Sequence, residues 1–177
     1  MRLIKMASSA YDSVAEFARL ERVLAIVCMF IPVILVLSNG GRVRGSISAY
    51  YNMTENQMFY FPLTVASMLF VVNGIVKRKH FYNTTLGVFL AGVILFNHID
   101  FKVIHFTCAA GFFLGNAAVI VIYSSKKELW FKVFLVAIIA ASLAAWQFDL
   151  ITLFWAEWIS LAIISFHYIL ESYGVID

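Results

Sequence analysis

The chain has 177 residues, of which 63% are hydrophobic and 13% are charged, and its formal net charge is +3. Soluble domains are about half apolar and about a quarter charged. A soluble fold of this composition would not have enough polar residues to cover its surface. We therefore exclude an ordinary cytosolic enzyme, a disordered chain and a free nucleic-acid-binding protein, and we expect the apolar excess to face lipid.

Apolar runs of about 20 residues recur along the chain, which is the length at which a helix spans the hydrocarbon core of a bilayer. Ahead of the first run, Tyr11, Val14, Phe17 and Leu20 recur at every third position. This spacing predicts an amphipathic helix over residues 1–20 that lies in the membrane interface. We predict a single domain over residues 1–177, an all-α integral membrane bundle of six transmembrane helices with spans at about 22–38, 59–76, 82–97, 103–124, 130–147 and 150–170.

The distribution of Lys and Arg predicts the orientation of this bundle. With six spans, both termini lie on the same side as the second and fourth loops, and that side carries Arg2, Lys5, Arg19, Arg22, Lys77, Arg78, Lys79, Lys126, Lys127 and Lys132. The other side carries only Arg42, Arg44 and Lys102. Because basic residues favour the cytoplasmic side of a membrane, both termini are predicted to be cytoplasmic.

The longest predicted loop, residues 39–58, lies on the non-cytoplasmic side. It begins with Asn39-Gly40-Gly41, which predicts a tight turn. Arg42 and Arg44 follow on the side where basic residues are otherwise scarce. They could bind a lipid phosphate or an internal carboxylate. Alternatively, they could be solvated residues of a turn whose side chains extend toward water.

Two ionisable residues lie inside predicted spans near the same end. Glu157 is about seven residues into the sixth span and His105 is about one turn into the fourth. An ionisable residue at that depth is costly and is a functional candidate that faces the bundle interior. We predict a polar, lipid-interacting pocket that opens to the non-cytoplasmic side, with the ligand-binding residues Arg42, Arg44, Tyr50, Tyr51, His105 and Glu157.

The chemistry of this pocket is left open between three alternatives. His105 and Glu157 could transfer protons on a lipid, with Ser46 or Ser48 as the nucleophile. His98, Asp100, His105 and Glu157 are zinc-ligand types and could form a metal-dependent hydrolase acting on lipid. The polar groups could instead only hold helices together. No other cofactor is predicted, and whether the protein is an enzyme stays undecided.

Small residues in two predicted spans indicate where helices could pack closely, within the chain or against a partner. Gly111 and Gly115 in the fourth span, and a row of alanines in the fifth, allow helices to approach closely. The approach can occur within one chain or in a homo-oligomer. The predicted partners are therefore membrane lipids and further copies of the chain, with no nucleic acid, and an oligomeric pore or transport subunit is a further alternative function.

The segment Arg44-Gly45-Ser46-Ile47-Ser48-Ala49-Tyr50-Tyr51 resembles a poorly characterised group of bacterial membrane proteins with an SISAYY segment before the second span. The surroundings of His105 and Glu157 are similar to the same group. This resemblance implies a six-span, multi-pass protein of the bacterial inner (plasma) membrane and implies no reaction.

More distant resemblances concern the whole chain. Six spans with a serine-bearing first loop resemble the damage-regulated autophagy modulators (DRAM), which are tied to lipid handling or stress responses. A weaker likeness to the ceramidase- and adiponectin-receptor-like (CREST) hydrolases implies a zinc held by three histidines. This sequence departs from that group because it has six predicted spans rather than seven and no His-x3-His pair.

Overall fold

The computed structural model describes residues 2–76, 81–123 and 126–176, with side chains from residue 18 onward. Within these residues all regular structure is helical and no strand is present. The six α-helices are α1 (Arg2–Ser38), α2 (Gln57–Val76), α3 (Phe81–Leu95), α4 (Lys102–Ala118), α5 (Leu129–Gln147) and α6 (Leu153–Ser172). A 3₁₀ helix, Ser48–Asn52, lies between α1 and α2, and a π-helical turn, Val119–Tyr123, extends α4.

Among the described residues, five helical segments are long and apolar enough to cross a membrane. They are Ala18–Ser38 of α1, α2, α4 with its extension to Tyr123, α5 and α6. The third helix, α3, is apolar but has only 15 residues, which rise about 22 Å. A hydrocarbon core is about 30 Å thick, so α3 is too short to be identified as a span by length, and the span predicted over 82–97 stays a prediction.

The boundary predicted between an N-terminal interfacial helix and the first span is not present. Residues 2–38 form one continuous helix. This segment contains no glycine, and its one proline, Pro32, lies near the far end, so nothing in the sequence breaks the backbone where the boundary was expected. The side chains of Tyr11, Val14 and Phe17 lie outside the described part of the chain, and the amphipathic face stays a prediction.

The helices pack mainly in adjacent pairs. α1 lies between α2 and α6, α2 packs on α3, α3 packs on α4, and α5 packs on α6. Large apolar side chains such as Phe70, Phe112 and Phe154 are fully buried between them. Others, including Phe61, Val103 and Trp130, are exposed on the outer surface. Helices that are apolar on both the inner and the outer face are typical of a membrane bundle.

The end of the bundle opposite the long loop contains a buried polar network. Tyr168 of α6 donates a hydrogen bond to Asn83 Oδ1 of α3 (2.9 Å). The Asn83 amide in turn donates to Asn73 Oδ1 of α2 (2.6 Å). Lys132, one of the basic residues that predict the orientation, is fully buried near the start of α5. Glu21 is buried in α1. Polar groups therefore join the helices at this end.

Replacing Tyr168 with phenylalanine should lower the free energy of unfolding by about 1 kcal/mol, because the buried Asn83 oxygen loses one of its donors. The measurement is denaturant-induced unfolding of the full chain in detergent micelles. Tyr173→Phe is the matched control, since Tyr173 is exposed. Equal stability of the two variants would contradict the role of this hydrogen bond.

Candidate functional site

The loop between α1 and α2 begins with a glycine-dependent helix end. The Gly41 amide donates to Val36 O (2.9 Å) and the Gly40 amide donates to Leu37 O (3.1 Å). Both glycines have positive φ, 65° and 79°. This is the Schellman arrangement, in which a left-handed residue turns the chain away from the helix axis. The turn sends the loop back across the end of the bundle.

Tyr50 is the centre around which this loop folds. Its side chain is fully buried, its hydroxyl donates to Arg42 O (3.0 Å), and it accepts from the Arg44 amide (3.2 Å). Burial raises the pKa of the Tyr50 hydroxyl above its ordinary value, and the nearby Arg44 opposes that shift. The hydroxyl is therefore neutral near pH 7 and acts as a structural donor.

Arg44 is also used inside the loop. Its guanidinium donates to Ala49 O (3.1 Å) and to Asn39 Oδ1 (3.4 Å), and lies 5.8 Å from the centre of the Tyr50 ring. The Arg42 side chain is exposed, and Tyr51 packs edge-on against Phe59 and Tyr60. None of the four residues Arg42, Arg44, Tyr50 and Tyr51 lines either of the cavities described below.

Glu157 lies in the second turn of α6, where the loop docks. The Ile47 amide donates to Glu157 Oε2 (2.6 Å), and the Phe154 amide at the start of α6 donates to Gly45 O (2.9 Å). The predicted burial of Glu157 is confirmed, since its side chain is 8% exposed. Its donor is a backbone amide of the loop, whereas we expected an arginine or His105.

His105 is buried in the first turns of α4. Its Nδ1 lies 2.7 Å from Phe96 O at the end of α3. A carbonyl oxygen only accepts, so Nδ1 carries the proton and the neutral ring keeps an acceptor at Nε2. The predicted direct pair of His105 with Glu157 does not form. The two side chains instead border the same cavities.

The larger of the two cavities that His105 and Glu157 border is a groove between α4 on one side and α5 and α6 on the other. The contacts of α4 with α5 are concentrated in the π-helical turn, so the helices separate toward the loop end. The groove has a volume of about 300 Å³. Its wall is formed by His105, Phe106, Ala109, Ala110, Phe113, Leu114, Leu143, Trp146, Gln147, Leu153 and Glu157. The wall is apolar apart from His105, Gln147 and Glu157.

A smaller chamber of about 40 Å³ adjoins the groove inside the bundle. The two spaces share His105, Ala109, Phe113 and Glu157, and the chamber also contacts Ile47 and Ser48 under the loop. A water molecule needs about 10–15 Å³ of such space, so the chamber holds about three waters or a head group of a few atoms. The arrangement is a small chamber with Ser48, His105 and Glu157 in an otherwise apolar wall, next to a mostly apolar groove.

The predicted zinc ligands are not brought together. Over the described parts of the chain, no three His, Cys, Asp or Glu side chains are grouped closely enough to hold a metal ion. The His98 and His105 rings lie 5.8 Å apart, but Asp100 is exposed and accepts a hydrogen bond from the Asn97 amide group (2.8 Å). The four-residue set His98, Asp100, His105 and Glu157 therefore does not form a site.

The predicted nucleophiles lie under the loop. Ser46 Oγ is 3.1 Å from Ser48 Oγ and accepts a hydrogen bond from the Ala49 amide (3.0 Å). Ser48 borders the chamber together with His105 and Glu157. The hydrogen bonds of these described residues do not join either serine to His105 or Glu157. In the described residues, Phe96 O thus orients His105, but neither serine is hydrogen-bonded to a base that could activate it.

Sequence reasoning missed most of the groove. Phe106, Ala110, Leu143 and Trp146 are ordinary span residues, and nothing in an apolar span marks which side chains border a cavity. The Ile47 amide was missed because backbone donors carry no sequence signal. Among the missed groove residues, only Gln147 is polar, and it stands out because it ends an otherwise apolar span.

In the described part of the chain, five helical segments are long and apolar enough to cross a membrane, and a mostly apolar groove lies between the helices. The chain belongs to DUF7103, a family of unknown function, whose family model matches residues 30–172. No curated protein and no solved structure matches the sequence. The matched range contains the loop, the chamber and the groove. The finer resemblances, to the SISAYY group and to the DRAM and CREST proteins, stay predictions.

Proposed function

We propose that this protein is a six-span membrane protein that binds a lipid-like amphiphile in the groove between α4 and the α5–α6 pair. The observation that carries the proposal is a mostly apolar groove that adjoins a small inner chamber, with the ionisable residues His105 and Glu157 bordering both. The shape matches an amphiphile whose chain lies in the groove and whose head reaches His105 and Glu157. Binding sites of this kind are concave, mostly apolar and supplied with few polar groups.

The orientation and location are part of the proposal. The excess of Lys and Arg on the side of the termini supports cytoplasmic termini, which puts the loop, the chamber and the groove on the non-cytoplasmic side. The resemblance to the SISAYY group supports the bacterial plasma membrane. The groove lies between membrane-crossing helices, so lipid is the medium that surrounds it, and an amphiphile is the ligand available there.

Binding is supported over catalysis. A serine hydrolase needs its nucleophile within hydrogen-bond reach of the base, and Ser48 instead pairs with Ser46. His105 is held by Phe96 O and Glu157 by the Ile47 amide. These contacts fix the two side chains that face the cavities, as a binding site requires.

The groove should be labelled selectively by a photoreactive derivative of hexadecanol in vesicles of phosphatidylethanolamine and phosphatidylglycerol. We expect cross-links to concentrate on Phe106, Ala110 and Leu143, because their side chains line the groove. Ala110→Trp fills the groove and should reduce this labelling at least tenfold. Peptide mapping by mass spectrometry measures both the position and the yield of the label.

Ala140→Trp is the matched control, since Ala140 is exposed on α5 and does not line the groove. It should be labelled like the parent protein. Leu114→Trp, on the exposed rim of the groove, provides a second blocking variant if the first folds poorly. Label spread evenly over the exposed faces of all helices, or labelling of Phe106 and Leu143 unchanged by both blocking variants, would overturn the proposal.

A further inference from the structure

Three polar side chains border the chamber, Ser48, His105 and Glu157, and the last two supply hydrogen-bond acceptors. Glu157 presents a carboxyl group that accepts one hydrogen bond, from the Ile47 amide. His105 uses its Nδ1 proton on Phe96 O, so its remaining ring nitrogen is an acceptor when the ring is neutral. A ligand head that donates hydrogen bonds therefore complements the chamber better than one that accepts them.

The chamber also has an acid, Glu157, with no Lys or Arg among the described residues that line it. The same holds for the described residues that line the groove. Arg44, a basic residue of the loop, instead contacts Asn39, Ala49 and the Tyr50 ring. Acids inside membrane proteins are usually paired with a cation or a donor, and Glu157 has only one backbone amide.

The size of the chamber restricts the head group further. A volume of about 40 Å³ accommodates about three water-sized groups. A primary ammonium group fits this space, whereas a phosphodiester with its substituent does not. A phosphate would also place negative charge beside Glu157, which is unfavourable at low dielectric.

We infer that the chamber binds the primary ammonium head of a long-chain amine, with Glu157 as its counter-ion, His105 as a further acceptor and the groove as the site of its chain. This inference rests on the proposed function and names its ligand class. It also reverses the expectation that arginines of the loop hold a phosphate head group. An alkyl ammonium group is positively charged at neutral pH, as lysine is.

The test is competition against the photoreactive hexadecanol label by three matched compounds: hexadecylamine, hexadecanol and hexadecyl phosphate. We expect the amine to halve the labelling of Ala110 at a concentration at least tenfold below that of the alcohol, and the phosphate to compete more weakly than either. In Glu157→Gln, which keeps an oxygen for the Ile47 amide, the amine should lose this advantage while the alcohol competes as before.

Glu55→Gln is the matched control for surface charge, because Glu55 is an exposed acid of the same loop and its removal changes the net charge equally. It should keep the preference for the amine. Equal competition by amine and alcohol in the parent protein, or an amine preference that survives in Glu157→Gln, would overturn the inference and leave the amphiphile site intact. Competition by none of the three compounds would overturn the amphiphile site as well.

Discussion

Replacing Glu157 with alanine should lower the free energy of unfolding by about 3 kcal/mol and detach the loop from α6. The Ile47 amide donates to this carboxyl group at 2.6 Å in a buried setting. A buried donor left without its acceptor costs about 1–3 kcal/mol, and we expect the upper end of this range because the hydrogen bond is short. Denaturant unfolding in micelles measures the change in the free energy of unfolding. Hydrogen exchange at the Ile47 amide measures the detachment of the loop.

Two variants separate this role from a general loss of charge. Glu157→Gln keeps an acceptor oxygen, so we expect a loss of only about 1 kcal/mol and a still-protected Ile47 amide. Glu55→Ala removes an exposed acid and should change stability by less than about 0.5 kcal/mol. An Ile47 amide that exchanges no faster in Glu157→Ala than in the parent protein would contradict the docking contact.

Replacing Gly87 with alanine should destabilise the protein by about 2 kcal/mol through the α2–α3 interface. An added Cβ would lie 2.7 Å from Ser67 O and 2.9 Å from Val71 N, both backbone atoms of α2. Overpacking of this kind costs about 1–3 kcal/mol or more, while alanine gains about 1 kcal/mol in helix propensity over glycine. The steric cost exceeds the gain in helix propensity, because backbone atoms cannot rotate away from the added Cβ. Separating the helices would also stretch the hydrogen bond that Ser67 Oγ donates to Gly87 O (2.8 Å).

Gly45→Ala is the matched comparison. A Cβ at Gly45 would have no atom within 4 Å, so its stability should stay within about 0.5 kcal/mol of the parent protein. Thermal or denaturant unfolding of both variants in the same micelles provides the measurement. If Gly87→Ala proved as stable as Gly45→Ala, the close approach of α2 and α3 would not exist.

Five of the helices were predictable because their apolar runs are long enough to cross a membrane, whereas α3 is shorter. His105 and Glu157 were predictable as site residues because an ionisable group within an apolar run stands out. The contacts of Arg44 could not be predicted, because its distance in sequence from the end of α1 does not show how the loop folds back onto Asn39 and Tyr50. The continuity of α1 was missed because the change from charged to apolar composition alters the environment of a helix without interrupting its backbone.

The groove could not be predicted from the sequence, for a different physical reason. It results from the way α4 and α5 converge at the π-helical turn and separate toward the loop, and a gap between two apolar helices has the same composition as a contact between them. The buried state of Lys132 was missed similarly, since a lysine near a helix start is consistent with either a solvated or an enclosed position.

Under the proposed function, the position of the groove between α4 and the α5–α6 pair determines which phase supplies the ligand. The folded loop lies over the end of the chamber, while the groove is open sideways between the helices. In the proposed orientation, exchange then occurs within the outer leaflet. Occupancy would follow the mole fraction of the ligand in that leaflet and not its aqueous concentration. A compound almost insoluble in water could saturate the site, and a change in leaflet composition would act on the protein without any solute crossing the water phase.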